Sequence, residues 1–168
     1  MTNAKIIVRL LGGLGNQLFG YAAARRLAVA NGCELVLDDI SGFSRDYVYK
    51  RQFQLDHFNI PCRKATAFER LEPFSQARRF LKRGVNQRLP FERRKYIKQE
   101  KIDFDSRLLQ VQPHGTVYLE GYWQSEDYFK DIEDTIREDL TIIPPTDAVN
   151  MAMAEQIKNK PAVAVHVR

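Results

Sequence analysis

Residues Lys5–Phe19 read K-I-I-V-R-L-L-G-G-L-G-N-Q-L-F, and this stretch decides the fold class. The near-continuous apolar run Lys5–Leu11 predicts a largely buried strand of a parallel sheet. Gly12, Gly13 and Gly15 follow at once as a tight loop; lacking Cβ atoms, glycines permit positive φ and let a ligand approach the backbone. From Asn16 onward a helix is predicted. Phe19, Ala23, Leu27 and Ala30 fall at near-helical spacing, and Gly32 supplies the stop. Glu34–Leu37 reads as a second strand ending at Asp38 and Asp39. Strand, glycine turn, helix and strand make a βαβ unit, which builds parallel sheets.

Outward from this unit, Ser41–Pro61 has no clean period and is expected to be a long loop with short structured pieces. Thr66–Arg83 reads as a helix, with Phe68, Leu71, Phe74, Phe80 and Leu81 along one side and Pro73 forcing a new turn. Gly84–Lys101 reads as irregular. Thr116–Trp123 is a predicted core strand. A helix capped by Ser125 follows, with Phe129, Ile132, Ile136 and Leu140 on one face and Glu126, Asp127 and Asp131 near its positive end. Thr146–Lys160 is a further short helix aligning Val149, Met153 and Ile157. Ala162–Val167 is expected to begin a new buried strand. Alternating strands and helices make the fold class α/β.

The chain has 168 residues, 44% hydrophobic and 28% charged, a composition able to bury a core. Its formal net charge of +5 is uneven: ten basic and two acidic residues lie between Arg78 and Lys101, leaving the remainder net acidic. Cys33 and Cys62 form no C-x-x-C pair, so neither a zinc site nor a redox motif is indicated, although two thiols could form one disulfide. The N-terminus lacks the basic and apolar regions of a signal peptide, and no stretch is apolar for long enough to span a bilayer. A cytoplasmic protein, with room for contact at a membrane surface, is the expectation.

The glycine turn sits where a nucleotide-binding turn sits. A helix N-terminus behind it offers unpaired N–H groups and partial positive charge to an anion, and the amides of Asn16 and Gln17 can hydrogen-bond sugar hydroxyls or phosphate oxygens. No Gly-Lys-Ser/Thr follows, which excludes a Walker A loop, and Leu18 stands at the third position of G-x-G-x-x-G. A plain tight βα turn is equally compatible with these residues. His166 and Arg168 share one strand face, and an arginine past a strand's carboxyl end can fork onto a pyrophosphate. Asp103-Phe104-Asp105 spells D-x-D, but a hard cation needs more oxygen ligands than this triplet offers. The basic stretch 78–101, interleaved with Phe80, Phe91 and Tyr96, raises an alternative class: a module binding anionic surfaces or nucleic acid. Attraction to anionic lipid fits it better than RNA, and nucleic acid is not an expected partner.

Four stretches together resemble the α-1,2-fucosyltransferases of glycosyltransferase family 11: Ile6–Ala22, Phe53–Ile60 (F-Q-L-D-H-F-N-I), Tyr118–Phe129 (Y-L-E-G-Y-W-Q-S-E-D-Y-F) and Val163–Arg168 (V-A-V-H-V-R). They run in that family's order. Position 20 is a glycine where the family usually has glutamine. The resemblance implies a GT-B architecture, with residues 1–160 as its N-terminal Rossmann-like domain and 161–168 as the start of a GDP-fucose-binding domain cut within its H-x-R-R-x-D-type motif. It implies inverting transfer of L-fucose from GDP-fucose to the 2-hydroxyl of a galactose-terminated glycan, with no metal or other cofactor, and no activity from these 168 residues alone. Arg168 and His166 would contact the donor diphosphate. Asn16, Gly13 and Gly15 would line the cleft, and Tyr122, Trp123 and Gln124 would end a strand facing it, although a packed core tryptophan suits that position equally. Asp38 and Glu120 are the carboxylates considered as general base, and neither is singled out.

Overall fold

The computed structural model describes residues 4–165. Strand β1 (Lys5–Arg9) is the centre of a five-stranded, all-parallel sheet. It pairs with β2 (Glu34–Asp38) on one side and β5 (Thr116–Glu120) on the other. Two short strands close the edges: β3 (Arg63–Lys64) beside β2 and β4 (Tyr96–Lys98) beside β5, giving the order β3-β2-β1-β5-β4. The chain winds outward from β1 to β3, crosses to the far edge, and returns. The carboxyl ends of β2, β1 and β5 therefore open side by side, where α/β sheets place their ligand crevices.

The βαβ expectation holds, with β1 ending at Arg9 rather than Leu11 and β2 running one residue further, to Asp38. Helix α1 (Leu14–Ala30) begins two residues before Asn16, so Gly15 belongs to its first turn rather than to the loop. α1 packs on one face of the sheet, where Ile6, Val8, Leu10, Leu35, Leu37, Val117 and Leu119 meet Tyr21, Ala24 and Leu27. Trp123, Leu108 and Tyr128 extend this core. The opposite face is thin: Ile7, Val36 and Ala65, with Tyr118 packed against them.

That second face is covered by α2 (Ser75–Gln87), and here the expected packing is reversed. Leu71 is buried, but Phe68, Phe74, Phe80 and Leu81 are all exposed. The inward side of α2 carries Arg79 and Asn86 instead. The strand ends beneath it hold buried carboxylates, Asp38 and Glu120, and these demand cations more strongly than the sheet demands another phenylalanine. The Asn86 side-chain Oδ1 accepts the backbone N–H groups of Lys95 and Tyr96, which launches β4 inside a segment expected to be irregular.

Three further expectations are corrected. The helix after Ser125 is broken into short 3-10 turns at Glu126–Tyr128 and Lys130–Ile132 before α3 (Glu133–Asp139). Tyr128 causes the interruption: its ring packs between Trp123 and Phe104, and its hydroxyl accepts the Asp105 N–H at 2.7 Å. Ser125 nevertheless caps as predicted, accepting from the Asp127 N–H. Helix α4 (Ala148–Lys158) forms, but Val149, Met153 and Ile157 are exposed. Residues 162–165 form no strand and leave Val163 and Val165 in solvent; 166 and 167 lie outside the described residues. Cys33 and Cys62 are free thiols.

α3 is tied to α1 by the buried Asp139 carboxylate, which accepts from the Tyr21 hydroxyl at 2.6 Å and from Arg25 Nε at 2.7 Å. Removing it strands a buried hydroxyl and a cation together, a loss on the order of 3 kcal/mol. Asp139→Ala is therefore expected to lower the urea midpoint sharply, whereas Asp134→Ala, on the exposed side of α3, leaves it within experimental scatter.

Candidate functional site

At the carboxyl ends of β1 and β5 lies an open cleft of about 490 Å³. Arg9, Gly12, Glu120 and Tyr122 come from the sheet and its turns, and the loop Gly42–Arg51 forms the other wall. A hollow of about 460 Å³ beside α3 is lined by Phe129, Lys130, Glu133 and Arg137 among others, and takes nothing from the glycine turn.

The turn itself depends on Gly12. Its φ of +79° is costly for any residue with a side chain, and a Cβ there would lie 2.5 Å from the Asn16 amide nitrogen. Gly13 is the N-cap of α1, and no side chain caps this helix start. The N–H groups of the first turn are thus left for water or a ligand. A Cβ on Gly13 or Gly15 would meet nothing within 4 Å, so these two glycines keep the approach open without being forced by the local backbone.

Gln17 is not a ligand amide. It is fully buried; its Nε2 donates to the carbonyls of Gly12 (3.1 Å) and Gln52 (2.9 Å), and its Oε1 accepts the Gln54 N–H (3.0 Å). It clamps the glycine turn to the segment that precedes Leu55, and each of those bonds left unmade would cost about 1–3 kcal/mol. Asn16 accepts from the Gln124 amide at 2.6 Å, which ties the start of α1 to the segment that follows β5.

Tyr122, Trp123 and Gln124 divide in two. Trp123 is 1% exposed, meets Tyr128 edge-on at 5.5 Å, and belongs to the core rather than to a sugar. Its backbone sits at φ +51°, a strain of about 1–2 kcal/mol for a non-glycine residue, held by the buried indole. The Gln99 side-chain Oε1 accepts the N–H groups of both Tyr122 and Trp123, which peels the chain from β5 after Glu120. With Trp123 anchored inward, its neighbours Tyr122 and Gln124 are exposed.

The floor of the cleft is an ionic network. Glu120 accepts from Arg83 at 2.6 Å and from the Tyr96 hydroxyl, and Arg9 Nη1 stands 3.4 Å away. Burial pushes the Glu120 carboxyl up, but the bonds from Tyr96 and Arg83 and the charge of Arg9 outweigh it and hold the carboxyl below its ordinary value. Burial and the same carboxylate push the Tyr96 hydroxyl up. A carboxylate held this firmly ionised is a weak proton acceptor. Asp38 is occupied as well, accepting the Ser41 N–H at 2.9 Å and the Ser41 hydroxyl. Arg9 in turn grips the Ser41 carbonyl at 2.8 Å. The loop is pressed so close to β1 that a Cβ on Gly42 would fall inside the Leu10 carbonyl.

The sequence R-D-Y-V-Y-K-R at 45–51 lies in the expected long loop, and its two tyrosines flanked by basic residues are a usable signal. Tyr47 and Tyr49 are largely exposed on the cleft wall, and the Arg51 guanidinium lies 4.2 Å from the Tyr49 ring centroid. Such rings present flat apolar faces beside hydrogen-bonding groups, the combination that receives a pyranose. His166 and Arg168 lie outside the described residues. Asp105 is engaged by Arg107 at 2.6 Å, and no group of three or more His, Cys, Asp or Glu suited to a metal occurs among the described residues.

The chain is 29% identical to an alpha-1,2-colitosyltransferase of Escherichia coli over 174 aligned residues, covering 97% of this chain and 53% of the relative. It thus spans about half the length of the curated relative it matches. No protein-family model matches the chain, and no solved structure matches it.

The network at the cleft floor makes an acid-side prediction. Glu120, and likewise Glu69, hydrogen-bonded by Arg63 and Lys5, are held below the ordinary glutamate value of 4.5. Groups with depressed folded values contribute stability above the unfolded value and lose it as pH falls. The urea midpoint is expected to be flat near neutrality and to drop below pH 4.5. Glu120→Gln should lower the neutral midpoint and flatten the acid limb; an unchanged limb would mean that Glu120 is not ionised in the fold.

Proposed function

We propose that this chain is the Rossmann-like, acceptor-side half of a GT-B glycosyltransferase. In this reading the whole enzyme transfers a deoxyhexose from a GDP-sugar to the 2-hydroxyl of a terminal galactoside. One observation carries the reading. Three stretches that resemble family 11, Ile6–Ala22, Phe53–Ile60 and Tyr118–Phe129, are far apart in sequence and converge on one place. Gln17 bonds the first to the approach of the second, and Asn16–Gln124 joins the first to the third. The similarity to the colitosyltransferase over nearly the whole chain supports the same class.

L-Fucose is the sugar favoured by the resemblance. Colitose, named by the relative, is the same ring lacking one hydroxyl, so the two donors compete for the same reading. The donor-binding half would begin near residue 161 and continue beyond 168, with His166 and Arg168 toward its diphosphate. From this side, the uncapped start of α1 and the open surface at Gly13 and Gly15 would face the donor anion. Tyr47, Tyr49 and Tyr122 would take the acceptor galactose, stacking on its apolar face. Arg9, fixed by Glu120 and Ser41, is a preorganised cation at the cleft floor, where negative charge develops on the leaving diphosphate. With Asp38 and Glu120 both tied up in the fold, the general base is sought elsewhere. The proposed chemistry requires no metal ion.

The 168 residues alone are expected to bind a terminal β-galactoside and to transfer nothing to it. Continued through a donor half, the protein is expected to form an α-1,2 linkage, read by NMR of the product. Tyr49→Ala should raise the acceptor KM about tenfold with kcat little changed, the pattern of lost uniform binding. A different linkage, or fucose transfer by the 168 residues alone, contradicts the proposal.

A further inference from the structure

α2 is amphipathic with its apolar side turned away from the protein. Arg79 and Asn86, on its inner side, are buried, while Phe80, Leu81 and Val85 are 64–75% exposed. At 100° per residue these three span an outward arc of about 140°, opposite the buried pair. Phe74, immediately before the helix, is 79% exposed and extends the ridge. A ridge of aromatic and aliphatic side chains on a surface helix marks an interaction surface.

The charge around the ridge selects the partner. α2 contains no acidic residue. Arg78 lies beside the apolar arc and Arg88 closes its C-terminal end, and Arg93, Lys95 and Lys98 follow in sequence. None of these five forms an ion pair with a carboxylate among the described residues. Arg79 and Arg83, by contrast, are turned inward to Asp38 and Glu120. The cations left outside are therefore not neutralised by a carboxylate, although Arg78 also donates to the Glu72 carbonyl at 3.3 Å.

We propose that α2 is an interfacial anchor that seats the protein on an anionic lipid surface. The ridge enters the headgroup boundary and the flanking cations meet the lipid phosphates. A bilayer supplies an apolar layer beneath a continuous negative surface, matching both properties at once. A protein partner would have to offer an acidic rim around an apolar groove. No helix among the described residues is long and apolar enough to cross a membrane, so the contact proposed lies in the plane of the surface. This inference stands independently of the sugar chemistry, because binding needs neither donor nor acceptor.

The test is co-sedimentation of the whole chain with phosphatidylcholine vesicles, with and without phosphatidylglycerol, across a salt series. Binding is expected only with phosphatidylglycerol, weakening as salt rises. Arg78→Gln with Arg88→Gln should weaken it about thirtyfold, since each basic residue near such a surface contributes about 1 kcal/mol. Phe80→Ser with Leu81→Ser should weaken it by about tenfold or more. All four side chains are exposed, so circular dichroism and the thermal midpoint should match the parent chain. Equal binding to neutral vesicles, indifference to salt, or no binding overturns the proposal. So does a self-associated protein that the Phe80→Ser, Leu81→Ser variant converts to monomer, which would assign the ridge to a second copy.

Discussion

The carboxylate of Glu120, buried at the end of β5, is the constraint on which the rest of the molecule depends. A glutamate in that position must be neutralised or protonated, and here it is neutralised by Arg83 from α2 and Arg9 from β1, with the Tyr96 hydroxyl completing its shell. This one requirement fixes how α2 is rotated. Arg83, with Arg79 one turn before it, must face the sheet, so Phe80 and Leu81 face out. It also fixes Arg9, which then holds Ser41 and brings the following loop down onto the cleft.

The cleft is therefore a product of polar groups that the sheet cannot leave unpaired. Gln17 binds the glycine turn to the Gln52–Gln54 backbone, Asp38 folds the loop back through Ser41, and Gln99 bends the chain away from β5. Trp123 fills the space behind that bend. What remains facing solvent is the uncapped start of α1, Asn16 with Gln124, and three tyrosines. Of these, Asn16 and Gln124 bond each other across distant segments of the chain, and the tyrosine rings are exposed and available to a substrate.

The βαβ unit and the glycine turn were legible from residues 5–38, because apolar runs, glycines and helical spacing all point the same way there. β3 and β4 were not. The first is Arg63–Lys64 and the second carries lysine, and two or three edge residues of that kind leave no apolar pattern to find. The rotation of α2 was hidden for a different reason. Periodicity finds an apolar face, but only the buried acids beneath a helix decide which face turns inward. In the site, Tyr122 lines the cleft and Asn16 and Gln124 bond each other beside it, whereas Gln17 and Trp123 are supports. Their roles depend on partners 35 or more residues distant or on core neighbours, and no local motif encodes those. The contribution of the Arg45–Arg51 loop became visible once Gly42 placed it against β1.

The most direct measurement of the central claim is a backbone amide NMR titration of the chain with a β-galactoside. Shifts are expected in two separated segments that line one cleft, around Tyr47–Tyr49 and at Tyr122, with the donor-side start of α1 unperturbed. Shifts confined to the hollow along α3, or an unperturbed spectrum at saturating sugar, would contradict it.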